Sequence, residues 1–415
     1  MLKDKISKHT MDYMIGGIRH VCATFKKRAP GTQSERDAQA FFKDELGKLS
    51  DDVIMEDFTL HPHAFMGFIP VTAVFLLASV ALYWFGGSSL AVSVIRVVLP
   101  LLAVLMFIVE FMMYRELVDV FFPKRISRNV YATRKPKGEV KRRIIFGGHT
   151  DAAYEWTYAL HGQIKALATV IGSAVVSMII VTAVNIAFFV KTLMSSDPIA
   201  IEGIWKTLGI VMLCCIPSAI AISLFTNWRV IVDGANDNLS ANYIAMSVLK
   251  EMQDNDFRFE NTEVACLLTG SEEAGLRGAE AFARKHKQDL SEIETVFIAM
   301  DTMREVDQLM IYTRGCTGTV KNSDAVGRLL HEAGMNCGID MPIAGLYPGA
   351  VDAEAFSRNG LLAAGFNGVN HNPQLYYHTR HDTPDNISPE CIELSLKICL
   401  EAAELFDKNG IKKYE

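Results

Sequence analysis

The stretch Thr262–Gly278, TEVACLLTGSEEAGLRG, passes from an apolar strand-like run into two adjacent carboxylates and then into a glycine-punctuated, helix-forming segment. Val264 to Leu268 has the composition of a buried strand and Ala279 to Lys287 reads as a helix. Glu272 and Glu273 are therefore expected at the carboxyl end of a sheet strand, where ligands of α/β sheets collect. Adjacent glutamates on such a loop can diverge, one coordinating a metal while the other takes a proton from a bound water. Alone, the pair reads more simply as acid facing a helix dipole, so its meaning depends on the rest of the chain.

Outward from this stretch, strands and helices alternate. Ser240 to Met252 reads as a helix, Thr295 to Met300 as a strand ending at Asp301, and Pro389 to Phe406 as a last helix. Nearer the start, Met14 to Phe25 reads as an amphipathic helix. A second helix is expected to begin at Ser34 in a Ser-x-x-Asp pattern and to carry Ala38, Phe41, Phe42 and Leu46 at helical spacing. Val53 to Leu60, Asn129 to Thr133 and Arg143 to Gly147 read as strands, the last followed by His149 and Asp151 in GGHTD. The alternation predicts an α/β fold with a mostly parallel central sheet and helices on both faces.

Two interruptions break this pattern. Ala64 to Gly86 and Leu90 to Met113 are nearly uncharged runs joined by Gly87-Ser88-Ser89. Lys165 to Val190 and Gly203 to Thr226 are a second such pair, joined by KTLMSSDPIAIE. Each run is long enough to cross a bilayer, so four transmembrane helices are expected as two hairpins. Arg96, read as their single charge, is close enough to the first turn to snorkel to the interface. Residues 1–63, 114–164 and 227–415 then form three parts of one catalytic domain, with hairpins at 64–113 and 165–226. An even number of crossings leaves all three parts on one side. The intervening segment carries Arg115, Lys124, Arg125, Arg128, Arg134, Lys135, Lys137, Lys141, Arg142 and Arg143, against little beyond Lys191 on the opposite loops. Positive charge inside places the domain in the cytosol of a multi-pass membrane protein.

Composition agrees with a lipid bilayer as partner. Half of the 415 residues are hydrophobic, and the mean hydropathy is +0.18. A net charge of −6 gives no basic face for nucleic acid. The eight cysteines form no CxxC pair, which argues for reduced thiols and against a thiolate zinc site. The amino terminus has no apolar core of signal-peptide length. The small residues Gly172, Ser173, Ala174 and Ser177 fit packing against a second copy, a homo-oligomer, as well as packing within the chain.

Collected from the predicted strand ends and loops, the polar residues are His149, Asp151, Asp237 in DGANDNLSA, Glu272, Glu273, Asp301 in AMDTM, and His378 in YYHTRHDTPDNI. Two imidazoles and three carboxylates are suitable ligands for a pair of zinc-type ions, one carboxylate being shared. Singly, each has an ordinary structural reading: strand-end histidine, turn former, helix cap, loop residue. RAPGTQSERDAQAFF, NVYATRK, HTD, GANDNLSA, GSEEAGLRGAEAF, MDT and YYHTRHDTPDNI occur in this order across nearly all the soluble portion. On these motifs the chain resembles the co-catalytic zinc aminopeptidase family. That family also includes glutamate carboxypeptidases and, as a non-enzymatic relative, the transferrin receptor. The chain departs from it in the second hairpin, inserted between His-x-Asp and the bridging aspartate. It departs again in GAVDAEAF, where many relatives have a Ser-Asp-His type sequence.

The resemblance implies a zinc exopeptidase fold and two divalent metal ions, expected as zinc. Asp237 would bridge them, His149 and Asp301 completing one site and Glu273 and His378 the other. It implies Glu272 as general base, Asp151 as the carboxylate that fixes the His149 ring, and Tyr377 as an oxyanion donor. His381 and Asp382 are expected to be structural. The expected activity is hydrolysis of a peptide substrate by a membrane-anchored aminopeptidase. A carboxypeptidase, a dipeptidase, a glutaminyl-cyclase-like enzyme or a non-catalytic scaffold are the alternatives. A transporter fits poorly, because the spans offer so few charges.

Overall fold

The structure, a computed structural model, describes residues 2–87, 89–195, 199–370 and 375–415. Helices α1 (Lys8–Thr24) and α2 (Gln33–Gly47) lead into strand β1 (Asp52–Leu60). In α1 the buried Met14, Ile18 and Val21 lie on one face at helical spacing. Thr32 caps α2, its hydroxyl accepting from the Glu35 N–H at 3.2 Å. The helix thus starts earlier than the expected Ser34, whose hydroxyl lies within it and donates to the Lys26 carbonyl at 2.6 Å.

Next come α3 (Ala64–Phe85) and α4 (Leu90–Met106), the latter extended by a π-helical turn over Phe107–Met112. Strands β2 (Arg125–Arg134), β3 (Arg142–His149) and β4 (Tyr154–Trp156) precede α5 (Thr157–Met194), α6 (Gly203–Leu213) and α7 (Ile216–Ser223). The remainder runs β5 (Thr226–Ile231), α8 (Ala241–Asp254), β6 (Thr262–Thr269), α9 (Arg277–Glu292), β7 (Glu294–Met303), β8 (Met310–Gly315) and β9 (Val320–Lys321). It ends with α10 (Asp324–Asn336), β10 (Ile343–Gly345), α11 (Asp352–Arg358), β11 (Leu362–Gly368) and α12 (Pro389–Asn409).

Nine strands make one sheet in the order β1-β2-β6-β3-β7-β11-β8-β10, with β9 paired to β8; β4 and β5 form a separate ladder. The central strands β6, β3, β7 and β11 are parallel. Strand β2 runs antiparallel to both β1 and β6, and β8 antiparallel to β11. The expected mostly parallel sheet is therefore a mixed sheet with a parallel centre. The chain leaves β1, passes down and up α3 and α4, and returns at the end it left, so β2 runs back along β1. The link from β7 to β8 is too short for the crossover that parallel pairing requires.

Alternation along the strands divides the core into two layers. Ile144, Phe146, Val264, Cys266 and Leu268 face a layer built from α1, α2, α8, α10 and α12. Ile145, Ala265, Leu267, Phe297 and Ala299 face α9 and α11, joined by Phe65 and Tyr114. Residues before, between and after the helical pairs all contribute strands to this sheet.

Four helices are long and apolar enough to cross a membrane: Ala64–Phe85, Leu90–Met112, Thr157–Met194 and Gly203–Ser223. They share a core of Leu76, Val80, Ala103, Val181, Phe188 and Met212 among others. Outward they present exposed apolar side chains such as Ile95, Leu102, Val176, Ile179 and Ile210. The third helix begins at Thr157 instead of Lys165, with a break at Gln163 (φ 53°, ψ −153°). The fourth breaks at Cys214 and Cys215, just before Pro217, which lacks the N–H to continue the ladder. Ser88 and residues 196–198 of the expected connecting loops lie outside the described residues.

Arg96 does not snorkel. It is fully buried, its guanidinium 4.0 Å from the Phe188 ring centroid and 5.7 Å from that of Tyr83, with Nη2 donating to Ser93 Oγ at 2.9 Å. The aromatic faces inside the bundle hold the cation that was expected at the interface. Nor is it the only charge: Glu110, in the π-helical turn, accepts from the Leu117 and Val118 N–H groups at 2.7 Å each. Of the small residues on α5, Ala174 and Ser177 are buried within this chain and Gly172 faces outward. All eight cysteines are free.

Candidate metal centre

Because β6, β3, β7 and β11 are parallel, their carboxyl ends meet at one edge of the sheet, and the site is built there. His149 ends β3, Asp301 lies near the end of β7, and Glu272 and Glu273 follow β6 in a short 3-10 turn. The 3-10 turn is closed by Gly275, at φ +96°. Gly278 permits the close return of the chain, since a Cβ there would stand 2.1 Å from the Gly270 carbonyl. Asp237 precedes α8 and His378 arrives on the loop before α12.

His149 Nε2 is 3.0 Å from Asp237 Oδ1, and His378 Nε2 is 3.0 Å from Asp237 Oδ2 and 3.3 Å from Glu273 Oε1. Asp301 and Glu272 stand farther off, at 3.9 and 3.8 Å from His149 Nε2. Two groups with metal-ligand spacing share Asp237: His149, Asp237 and Asp301, and Asp237, Glu273 and His378. A third joins His149, Glu272 and Glu273. Within each group the ligand atoms lie within 4.8 Å of one another. His149 Nε2, both Asp237 oxygens and Glu273 Oε1 are buried without a hydrogen-bond partner. Buried polar atoms are normally satisfied, so these convergent orphan atoms fit cations between them.

The electrostatics follow from packing five acids together away from water. Burial raises the Glu272 carboxyl well above its usual range, and Glu273, Asp352 and Asp301 add to this against the pull of His149. Asp301 is pushed up to about 8, by burial first and then by Asp237. For Asp237 burial also acts upward, but His149 and His378 override it and hold the carboxylate below the usual range. Burial disfavours charge on both histidines. Asp151 and Asp237 nevertheless raise His149 well above its normal value, while Glu273 and Asp237 lift His378 to about 10.

Supporting residues hold several of these candidate ligands in place. Asp151 accepts from the backbone N–H groups of Glu272 and Glu273 at 3.0 Å each, while its Oδ1 lies at the longer distance of 3.4 Å from His149 Nδ1. It therefore holds the glutamate pair as directly as it faces the histidine. Asp382 accepts from the Asn236 N–H and side-chain amide, both at 2.8 Å, and from the Asp237 N–H at 3.1 Å. Asn242 donates to the His149 carbonyl at 2.7 Å, and Asn238 to that of Met300 at 3.0 Å. Ser271, Thr302 and His378 all sit at positive φ, a concentration of backbone strain beside the ligands. Tyr377 is half-buried against the site, its ring stacked on His378 at 4.1 Å.

Sequence reasoning overlooked several positioning residues. Glu35 is fully buried beneath the site. Its Oε1 accepts from Ser271 N–H and Oγ at 2.7 and 2.9 Å, and its Oε2 from Gly31 N–H at 2.7 Å. Its only local signal is the Thr-x-x-Glu spacing of a helix cap. Asp352, in the divergent GAVDAEAF, accepts from Thr269 Oγ1 at 2.5 Å. Trp156 and Tyr114, at the ends of apolar runs, line the cavity in front of the acids. Nothing in their own neighbourhoods marks them.

Residues 223–403 match Peptidase family M28. No curated protein matches the chain. Among solved structures, the chain is similar to an aminopeptidase from Aneurinibacillus sp. strain AM-1, with 14% identity over 98% of this chain and 95% of that one and a TM-score of 0.57. It is also similar to a glutaminyl cyclase from an Acidobacteriales bacterium, with 14% identity, 97% of both chains covered and a TM-score of 0.54. A Zn-dependent exopeptidase from Parabacteroides distasonis gives 12% identity, 96% and 98% coverage and a TM-score of 0.53.

Proposed function

On the premise that this chain carries a Peptidase family M28 domain and fits a co-catalytic zinc exopeptidase family, we propose that it is a membrane-embedded two-metal aminopeptidase. The carrying observation is the pair of ligand groups that share Asp237 and converge on buried atoms without partners. His149, Asp237 and Asp301 would hold one divalent ion and Asp237, Glu273 and His378 the other. Bound there, zinc would polarise the scissile carbonyl and lower the pKa of water.

Glu272 is the general base. It stands beside the ligands but outside both Asp237 groups, and its buried setting favours holding the proton that it takes from water and returns to the departing amine. Asp151 fixes Glu272 through the backbone, so the carboxyl keeps its aim as it gains and loses charge. Tyr377 is assigned to the oxyanion, and Tyr114 lines the same cavity. Trp156 and Phe65 exclude water from the site, which strengthens every charge interaction within it. The four apolar helices span the bilayer, and the excess of Arg and Lys between the two pairs sets the domain on the cytosolic side.

The test is release of amino acids from a peptide library by detergent-purified protein, with metal quantified on the same sample. Residues freed from the amino end, two metals per chain, and a loss of about 10² to 10⁴ in rate for Glu272→Gln are expected. Full activity in Glu272→Gln or Asp237→Ala would sink the mechanism. Glutaminyl-cyclase-type acyl transfer is the second reading, favoured by the cyclases among the similar folds. It is distinguished by ammonia release from amino-terminal glutamine without peptide cleavage.

A further inference from the structure

The cavity of about 210 Å³ in front of the acids does not end at the catalytic domain. Phe111, Ile171 and Phe225 line it and also line a second cavity, of about 50 Å³, that lies between α3, the π-helical turn, α5 and α7. A third, smaller space shares Leu76 with the second and is lined by Val80 and Val181 beyond it. Followed along α3 from Phe65 beside the site to Leu76, this seam covers about 16 Å of helix at roughly 1.5 Å per residue. No amino-acid side chain reaches that far.

We propose that the seam holds the hydrocarbon tail of an N-fatty-acyl amide, so that the amino-terminal group removed is a long acyl chain. This rests on the two-metal amide-cleaving chemistry proposed above and puts a fatty acyl group where an aminopeptidase substrate has its amino-terminal residue. Chemistry selects the occupant. A peptide extended along the seam would bury several N–H and C=O groups without partners, each at a cost of order 1–3 kcal/mol. The one hydroxyl lining the second cavity, Thr72, already donates to the Ile69 carbonyl at 2.7 Å. A helical peptide, about 10 Å across, is too wide for so small a space. A hydrocarbon chain needs no hydrogen bonds, and its single polar atom, the carbonyl oxygen, stays at the acids. The polar remainder of the substrate then lies by Tyr347 and Pro348, which line the first cavity but not the second, and where Tyr347 is exposed.

In the reaction, the oxygen of water bonds to the acyl carbon and the C–N bond breaks. One water proton passes through Glu272 to the nitrogen as the bond breaks, the second leaves the new carboxyl group for the amine, and the products are a fatty carboxylate and a protonated amine.

The experiment uses the full metal-loaded chain in lipid nanodiscs, with acetyl-, hexanoyl-, decanoyl- and palmitoyl-leucine, leucyl-leucine and leucine decylamide as substrates. kcat/KM is expected to rise about a hundredfold or more from acetyl to decanoyl, and Ala174→Leu, which fills the seam, to shift the preferred chain length downward. A flat chain-length profile, or cleavage of leucyl-leucine with no acyl-leucine cleaved, overturns the proposal and leaves the hydrolase reading standing. Preference for leucine decylamide overturns the acyl-side assignment. Failure on every substrate sinks the hydrolase reading itself, and the seam is then decided by labelling. Decanoate with a diazirine at its terminal carbon, added to metal-free protein, is expected to crosslink at Ile69, Thr72 and Met178. Labelling spread instead over the outward-facing Val176 and Ile179 overturns the seam.

Discussion

The backbone N–H of Trp156, at the entry to α5, donates to the carbonyl of His378 at 2.9 Å, and the indole stands edge-on to the imidazole with ring centroids 4.1 Å apart. The third apolar helix is thereby fastened directly to a candidate ligand. His378 sits at positive φ, a conformation that its surroundings must maintain, and Trp156 is a large part of those surroundings. Trp156→Ala is expected to weaken binding of one metal about 10- to 100-fold, measured by metal titration, while Trp156→Phe retains most of the affinity. Equal affinity in Trp156→Ala would show that the loop holds itself.

Asp382 organises the Asp237 turn through three donors, and none of the three has another acceptor as close. Asp382→Ala leaves the two backbone donors unsatisfied, while the Asn236 side-chain amide keeps the Asn386 carbonyl at 3.2 Å; this costs about 3 kcal/mol and lowers the thermal midpoint. The same variant is expected to lose metal, since the Asp237 backbone loses its anchor. Unchanged melting and metal content would contradict this account.

Glu354 gives a pH dependence outside the metal centre. Burial pushes its carboxyl up to about 7, against the hydrogen bonds from Val351 N–H and Asn322. The folded-state value exceeds the unfolded one, so the full stability is present below about pH 4.5 and is lost as pH rises towards 7 and beyond. The loss is roughly 3 kcal/mol. The melting temperature of wild type relative to Glu354→Gln should fall as pH rises from 5 to 8; a constant offset would refute the assignment.

Arg96 has two guanidinium nitrogens, Nε and Nη1, buried without partners among the apolar helices. An incompletely satisfied buried charge is weak support for a fold, and an apolar residue of similar volume often serves as well or better. Arg96→Met is therefore expected to leave thermal stability unchanged or raised. A large loss would assign Arg96 a role beyond the contacts with Phe188, Tyr83 and Ser93.

What the sequence made legible was the set of strand ends. His149, Glu273 and Asp301 follow short apolar runs whose period and composition read as buried strands, and the parallel centre of the sheet brings those ends together. Asp237 and His378 come from loops and were found through their motifs. Strand direction was not legible, because β2 reads like any other strand while its orientation is set by the helical pair before it. Trp156, Tyr114 and Phe65 were hidden for another reason: each lies in or near an apolar run, where an aromatic residue is ordinary, and only packing turns it towards the acids. Arg96 and Glu110 show the same limit, since the burial of a charge in a helix depends on which neighbours surround it.

The strand that ends in His149 also imposes a timetable on the making of the protein. It hydrogen-bonds on both sides to β6 and β7, and its register partner for His149 is Thr269. At about 5–20 residues per second of synthesis, a gap of 120 residues keeps this strand waiting on the order of ten seconds, while α5, α6 and α7 are made. His378 arrives later still. A nascent chain therefore holds scattered candidate ligands and no centre, and the proposed chemistry waits until His378 has been made.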